Sequence, residues 1–280
     1  MKVIEAAGVS VRVSDDSHRP ALFLLRMASR DAGLWDPIWQ RLEQWFRVVQ
    51  FDLPMPSLAA LEQPRQVFGD LASSVREVAH ALGHRTYSVF GWNGGCHVAL
   101  RCAAEHRAEV RHCILLAPFH TVHDARPIES GLQFLRALFE RGDARLYATY
   151  WYLGGLSSQF SAMRFDQVEA WVEQRVAADR FLQQDPERAM KWMRALRGAW
   201  LNVSELRSIN ASTLILAPTL NQWHAGPTLE MAEGLAALIP DAELVPLEGA
   251  GSLILLEDPQ RVIAPLENFL QRNKNETQCA

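Results

Sequence analysis

The chain has 280 residues, of which 49% are hydrophobic and 21% are charged, so it is long enough to bury a full core without metals or disulfides. Its net charge is −4 and its pI is about 6.1, which argues against a basic nucleic-acid-binding surface. The longest apolar runs are too short to span a bilayer, so we predict no membrane segment.

The first residues, MKVIEAAGVSVRV, contain neither a long apolar segment nor a small-residue cleavage site, so we predict no signal peptide. The four cysteines lack C-x-x-C spacing and favour reduced thiols. They are Cys96, Cys102, Cys113 and Cys279. The histidines show no metal-ligand spacing. We therefore expect a cytoplasmic protein that holds no metal and no cofactor.

Residues 1–122 alternate short apolar strands with amphipathic helices. The predicted strands are Val9–Val13, Ala21–Leu25, Phe46–Phe51, Tyr87–Phe90 and Cys113–Ala117. The predicted helices are Trp35–Trp45, Phe68–Leu82 and Gly94–Glu105. This alternation is typical of βαβ units, so we predict the first part of an α/β core, with a doubly wound, mostly parallel sheet.

Residues 123–210 show only helical patterns, over Ile128–Glu140, Ala144–Tyr152, Phe165–Leu182 and Ala189–Trp200. An insertion of this size is too long for a loop, and we predict a helical cap over a ligand site. The alternation resumes over residues 211–272 with Thr213–Ala217, Leu229–Leu238, Glu243–Leu247 and Pro259–Gln271. Residues 273–280 are polar and are predicted to form a flexible tail.

A strand-to-helix motif within Tyr87–His106 carries the most specific signal. The strand runs into Gly91-Trp92-Asn93-Gly94-Gly95 and then into a helix. A G-x-S-x-G nucleophile elbow has this context, because its glycines let backbone pack on backbone at a strained turn.

The motif resembles the α/β-hydrolase superfamily, and the likeness extends over most of the chain. Phe46–Pro54 resembles the strand before that family's first sharp loop, Ser212–Trp223 the strand that carries its acid, and Leu247–Val262 the stretch that carries its histidine, including a Glu-x-Pro sequel. The resemblance implies an α/β-hydrolase fold with a cap insertion.

The same comparison implies a degenerate Ser-His-Asp triad. Asn93 stands at the nucleophile position, Ser252 at the histidine and Asn221 near the acid, while Arg26-Met27 replaces the family's His-Gly at the oxyanion loop. A carboxamide has no ionisable proton and forms no acyl-enzyme. The triad acts as a unit, so four such changes predict the loss of its chemistry.

Each site residue has a second explanation. Asn93 is either a pocket amide or a residue chosen because asparagine tolerates a left-handed turn. Arg26 either pairs with an anionic ligand group or turns to solvent or to Asp31 or Asp52. Trp92 either contacts the ligand beside Gly94 or packs in the core.

Two histidines are candidates for the pocket. His120 follows a strand at the edge where ligands gather in α/β sheets, and His224 lies near the lost acid position, but both also suit the surface. Cys96, on the first turn of a helix, is either an activated thiol or a buried apolar side chain.

Three functions remain open. The favoured hypothesis is a non-hydrolytic relative that binds a small apolar or anionic molecule between cap and core, and catalyses at most a non-covalent addition, elimination or cyclisation. The predicted catalytic residues are Asn93, Ser252 and His120, and the predicted contacts are Arg26, Met27, Trp92, Gly94, Asn221 and His224. The second is an ester or thioester hydrolase or acyltransferase with displaced residues, which needs a His120–Ser252 or His120–Cys96 contact. The third is a partner-binding scaffold.

Overall fold

A single eight-stranded sheet forms the centre of the computed structural model. The structure describes residues 2–15, 18–26, 33–53, 56–120, 133–134, 136–138, 140–178, 186–220 and 229–279. The strands are β1 (Lys2–Ala6), β2 (Val9–Val13), β3 (Ala21–Arg26), β4 (Arg47–Asp52), β5 (Tyr87–Trp92), β6 (Val110–Leu116), β7 (Ser212–Pro218) and β8 (Ala242–Leu247).

The strand order is β1-β2-β4-β3-β5-β6-β7-β8. The hairpin of β1 and β2 is antiparallel and joins β4 in antiparallel register, while every other neighbouring pair is parallel. The predicted doubly wound, mostly parallel sheet is therefore confirmed. Strand β1 was not expected, because KVIEA mixes charged and apolar residues and lies mostly exposed at the sheet edge.

Helices cover both faces of the sheet. They are α1 (Asp36–Leu42), α2 (Pro64–Ala81), α3 (Gly95–Glu105), α4 (Ala144–Gly155), α5 (Ser158–Met163), α6 (Phe165–Ala178), α7 (Pro186–Gly198), α8 (Val203–Arg207), α9 (Leu229–Ala236), α10 (Ile254–Glu257) and α11 (Gln260–Cys279). Strands β3 and β5 are buried at every residue, which explains their continuous apolar sequences.

Two apolar clusters divide the core. One lies where α2 and α3 pack on the sheet, and the other joins α1, α4, α6 and α11 to the opposite face. Helices α4 to α8 fall between β6 and β7, where the sequence predicts the cap. Within that region Trp171 stacks between Tyr152 and Phe160, with ring centroids 5.8 and 6.0 Å apart.

The ends of several helices differ from the sequence prediction. Helix α11 continues to Cys279 rather than ending at Gln271, because no glycine or proline follows Pro265 to terminate it. Helix α6 ends at Ala178, and residues 179–185, like the start of the predicted helix Ile128–Glu140, lie outside the described residues. In the described part of the chain, no helix has the length and apolarity needed to cross a membrane.

Candidate functional site

The turn between β5 and α3 has the backbone of a strained elbow. Asn93 lies at its apex with a φ of +51°, in the left-handed region that asparagine tolerates better than most residues. Its N–H donates to the Leu116 carbonyl of β6 at 2.9 Å, and its carbonyl accepts the Cys96 N–H at 3.0 Å. The residue is half-buried at the carboxyl edge of the parallel sheet. The backbone conformation thus accounts for an asparagine at position 93. Contact between the Asn93 side chain and a ligand stays a prediction.

Two glycines make this elbow possible. A Cβ on Gly91 would lie 2.7 Å from the Cys96 Cα, and a Cβ on Gly95 would lie 2.0 Å from the Leu25 carbonyl oxygen. The start of α3 therefore rests directly on the end of β3. The Cβ on Gly95 would also lie 3.2 Å from the backbone N of Arg26, the last residue of β3. Gly94, between Asn93 and Gly95 in sequence, is buried, and its carbonyl accepts the His97 N–H.

Arg26 is only 7% exposed, so the alternative in which it turns to solvent is wrong. A buried guanidinium is costly unless polar or anionic groups surround it. Its neighbour across the sheet register is Asp52, the last residue of β4. Arg26 is therefore a buried cation at the end of β3, the strand on which the start of α3 packs.

Trp92 ties the elbow to the loop after β8. Its indole is 4% exposed, meets Trp35 edge to face at 5.8 Å, and donates from Nε1 to the Ser252 carbonyl oxygen at 2.9 Å. Ser252 is fully buried, and its Oγ has no hydrogen-bond partner among the described residues. Ser252 is thus brought to the elbow, although its hydroxyl pairs with no base there.

His120 follows β6 and is 2% exposed. Its Nε2 accepts the Leu201 N–H at 3.0 Å, so the proton of the neutral ring lies on Nδ1, which has no partner in the described structure. Burial lowers the pKa of His120 to about 4, so the ring is neutral at pH 7. Within the residues that the structure describes, no hydrogen bond joins His120 to Ser252 or Cys96.

Cys96 does not have the character of an activated thiol. Its Sγ donates to the carbonyls of Gly91 at 3.2 Å and Leu116 at 3.4 Å, inside the core. Burial raises the pKa of the Cys96 thiol well above its usual value, which outweighs the helix N-terminus. The structure therefore favours the alternative of a buried apolar side chain.

A buried polar cluster beside His120 was not anticipated from the sequence. His97 and Arg101 stand four residues apart on one face of α3, and each is 4% exposed. Arg101 donates to the Ala199 carbonyl at 3.0 Å and pairs with Glu205, while the His97 ring lies 6.3 Å from that of His120. The only indication of the cluster in the sequence was the i, i+4 spacing of His97 and Arg101, which places them on one helix face. The cluster joins α3 to the chain that returns from α7.

The buried imidazoles predict a pH dependence of stability. Burial, followed by the charges of His120 and Arg101, lowers the pKa of His97 to about 3, and that of His120 is about 4. An unfolded histidine has a pKa of about 6.5, so between pH 6.5 and 4 the unfolded chain binds protons that the native rings do not. We expect the free energy of unfolding to decrease as the pH is lowered through that window, by about 1.4 kcal/mol per pH unit for each ring.

Urea unfolding at pH 7, 6 and 5 measures this slope. His97→Phe should reduce the slope of the unfolding free energy against pH by the contribution of one proton, because it removes one buried imidazole. Phe68→Leu is the matched control, since Phe68 packs on the same ring at 5.9 Å. It should lower stability equally at each pH. A slope unchanged by His97→Phe would contradict the prediction.

Three predicted contacts, Met27, Asn221 and His224, lie outside the described residues. The end of β7 that leads to Asn221 is nevertheless linked to the loop after β8, because the Leu220 N–H donates to Ala250 at 2.9 Å. Among the residues that the structure describes, no three His, Cys, Asp or Glu side chains are grouped to hold a metal ion.

Comparison with known sequences gives a match to the alpha/beta hydrolase family model over residues 24–264. The chain is also similar to the pimeloyl-[acyl-carrier protein] methyl ester esterase of Nitrosomonas europaea, at 29% identity over 114 residues. The match covers 39% of this chain and 41% of that relative, so the chain spans about two fifths of its length.

Solved structures show the same architecture over nearly the whole chain. A 2-hydroxy-6-oxo-6-phenylhexa-2,4-dienoate hydrolase from Rhodococcus sp. strain RHA1 superposes with a TM-score of 0.78 at 19% identity, covering 96% of this chain and 99% of that one. The enol-lactonase from Burkholderia xenovorans LB400 gives 0.73 at 18% identity, with 96% and 100% covered. At these identities the likeness establishes the shared fold.

Proposed function

The chain belongs to the alpha/beta hydrolase family, and on that premise we propose that it hydrolyses a small ester or lactone by direct attack of water, without an acyl-enzyme at the elbow. The proposal adopts the hydrolase alternative from the sequence and replaces its displaced nucleophile by a water molecule. Family membership supports hydrolysis, and the residue at the elbow determines the mechanism.

The names of the similar proteins support this choice of reaction. One is a methyl ester esterase, one an enol-lactonase and one a dienoate hydrolase. All three names describe hydrolysis. We carry over only that class of reaction, since each substrate belongs to the protein that is named.

Asn93 is the observation that carries the mechanism. Its carboxamide stands half-buried at the elbow and cannot be a nucleophile, but its NH2 group donates to a carbonyl oxygen and its oxygen accepts from water. In the proposed step, the water oxygen bonds to the carbonyl carbon, the bond to the alcohol oxygen breaks, and a proton from water passes to the departing oxygen. The products are an acid and an alcohol.

The neighbours of Asn93 suit such a substrate. The buried Arg26 charge stabilises negative charge that develops on the carbonyl oxygen, and the Trp92 side chain excludes water from one wall of the elbow. The ligand that we propose is therefore a small, largely apolar acyl compound held between cap and core. The catalytic roles of Ser252 and His120 remain predictions, as do the ligand contacts of Gly94, Met27, Asn221 and His224.

Turnover of p-nitrophenyl acetate and p-nitrophenyl hexanoate tests the proposal, with Asn93→Gly as the decisive variant. Glycine takes a positive φ without strain, so this change removes the carboxamide and retains the elbow backbone. We expect kcat/KM to fall about 100-fold, as for the loss of one oxyanion donor. Thermal unfolding should move little.

Cys96→Ala is the control for a displaced nucleophile and should retain turnover. Intact-mass measurement during the steady state should find no acyl adduct. An adduct on any serine or cysteine, or full activity in Asn93→Gly, would overturn the water mechanism.

A binding protein without hydrolytic turnover is the second candidate. One observation favours it: among the described residues, no imidazole forms a hydrogen bond at the elbow, so no base is held there to activate water. Absence of turnover in the wild type, together with saturable binding of hexanoate that Asn93→Gly weakens, would establish this alternative.

A further inference from the structure

A single carboxylate holds the junction between α4 and α5. Glu257, the last residue of α10, accepts the Ser157 backbone N–H at 2.7 Å and the Ser157 hydroxyl at 2.6 Å. Ser157 is 6% exposed and also caps α5, because its Oγ accepts the Phe160 N–H at 3.2 Å. One buried residue thus gives both of its donors to the same acid.

A backbone contact lies beside this pair. The Leu253 N–H donates to the Gly155 carbonyl at 2.7 Å. A Cβ on Gly251 would come within 2.3 Å of the same oxygen. Residues 155–157, which we call the cap hinge, therefore rest on residues 251–257 through backbone atoms as well as through Glu257.

The contacts continue to the elbow. Ser252 stands between Gly251 and Leu253 in the chain, and its carbonyl accepts the Trp92 indole N–H at 2.9 Å. Trp92 precedes Asn93 directly. Hydrogen bonds at Ser157 and at Trp92, joined by the backbone of residues 251–257, thus connect the cap hinge to the residue that the proposed function places at the reaction centre.

We propose that Glu257 is a positioning residue that fixes the cap hinge to the elbow through Ser252 and Trp92, and so sets where the cap holds the acyl group relative to Asn93. This inference rests on the proposed function for its catalytic consequence. Its structural part is independent of turnover, because the series of contacts exists whatever the site binds.

Charge makes this junction specific. A carboxylate accepts both Ser157 donors through charge-assisted hydrogen bonds, which are about twice as strong as neutral ones. Glutamine has nearly the same shape but no charge: its oxygen can accept from the Ser157 N–H, while its NH2 group can only donate to Ser157 Oγ, which reverses that hydrogen bond. Glu257→Gln therefore removes the charge and one of the two acceptors while it preserves the volume of the side chain.

The test combines amide hydrogen exchange with steady-state kinetics on Glu257→Gln, Ser157→Ala and Ser157→Thr. Threonine keeps both donors and should restore wild-type behaviour. Asp258→Asn is the matched control, because this neighbouring acid is exposed and accepts only the Gln260 N–H, at 3.2 Å, a role that asparagine also performs.

In Glu257→Gln we expect exchange over residues 156–161 to accelerate at least about tenfold, with a smaller acceleration over residues 93–97. KM for p-nitrophenyl hexanoate should rise several-fold, by a larger factor than kcat falls, and more than for the acetate, because the longer acyl group presents more apolar surface for the cap to contact. Asp258→Asn should change none of these.

The outcomes separate the two proposals. Unchanged exchange at the hinge in Glu257→Gln would overturn the positioning role, and so would acceleration at the hinge with none at the elbow. Equal changes in KM for the two esters would also overturn it. A wild type without turnover would count against the proposed function alone, since the exchange measurements then still decide the role of Glu257.

Discussion

Gly95→Ala is expected to destabilise the protein by about 3 kcal/mol or more. The added Cβ would lie 2.0 Å from the Leu25 carbonyl oxygen and 2.7 Å from its carbon. Both are backbone atoms of β3, a central strand buried at every residue, so neither can move without breaking the sheet. Urea unfolding monitored by tryptophan fluorescence measures the loss.

Gly234→Ala makes the same substitution in α9, where nothing lies within 4 Å of the added Cβ. Alanine there should raise stability by about 0.5 to 1 kcal/mol, because it reduces the entropy of the unfolded chain. The two variants are thus expected to change the free energy of unfolding in opposite directions. A Gly95→Ala protein as stable as the wild type would show that α3 does not rest on β3 as described.

Gly251→Ala is expected to lower the free energy of unfolding by about 2 kcal/mol and to loosen the cap hinge. Its Cβ would stand 2.3 Å from the Gly155 oxygen and 2.8 Å from the Leu156 carbonyl carbon. The hinge must move away, which breaks the Leu253 N–H bond to Gly155. Limited proteolysis should cut near residues 155–164 several-fold faster than in the wild type.

Gly249→Ala provides the comparison within the same loop. Gly249 has a φ of +69° and an added Cβ there would meet no atom within 4 Å, so alanine costs about 1 kcal/mol through backbone strain alone. Cleavage near the hinge should not change. If Gly249→Ala and Gly251→Ala accelerate cleavage equally, loop strain rather than the contact with Gly155 controls the hinge.

The elbow was predictable because its physics is local. Gly91 and Gly95 flank Asn93 at fixed spacing, and a strand that runs directly into a helix leaves no room for Cβ atoms at those positions. The burial of β3 and β5 was equally clear from their continuous apolar sequences. Each of these features depends on only a few consecutive residues of the sequence.

The contacts of the site were not predictable, because they join distant parts of the chain. Glu257 meets Ser157 across 100 residues, and nothing in the sequence around either one indicates the other. The place of His120 after a strand makes it a candidate for a pocket or for the surface, but its partners, His97 and Leu201, come from α3 and from the chain after α7. Periodicity gives the face of a helix, not the group that it meets.

The position of β7 next to β6 has a consequence for folding. About 95 residues separate these neighbouring strands in the chain. The pairing of β7 with β6 therefore carries the entropy cost of closing a long loop. During synthesis, α4 and α5 leave the ribosome roughly 100 residues before residues 251–257, the surface on which they dock, exist. The first half of the sheet therefore has an unpaired edge at β6 until β7 is synthesised, and an unpaired strand edge can pair with another chain.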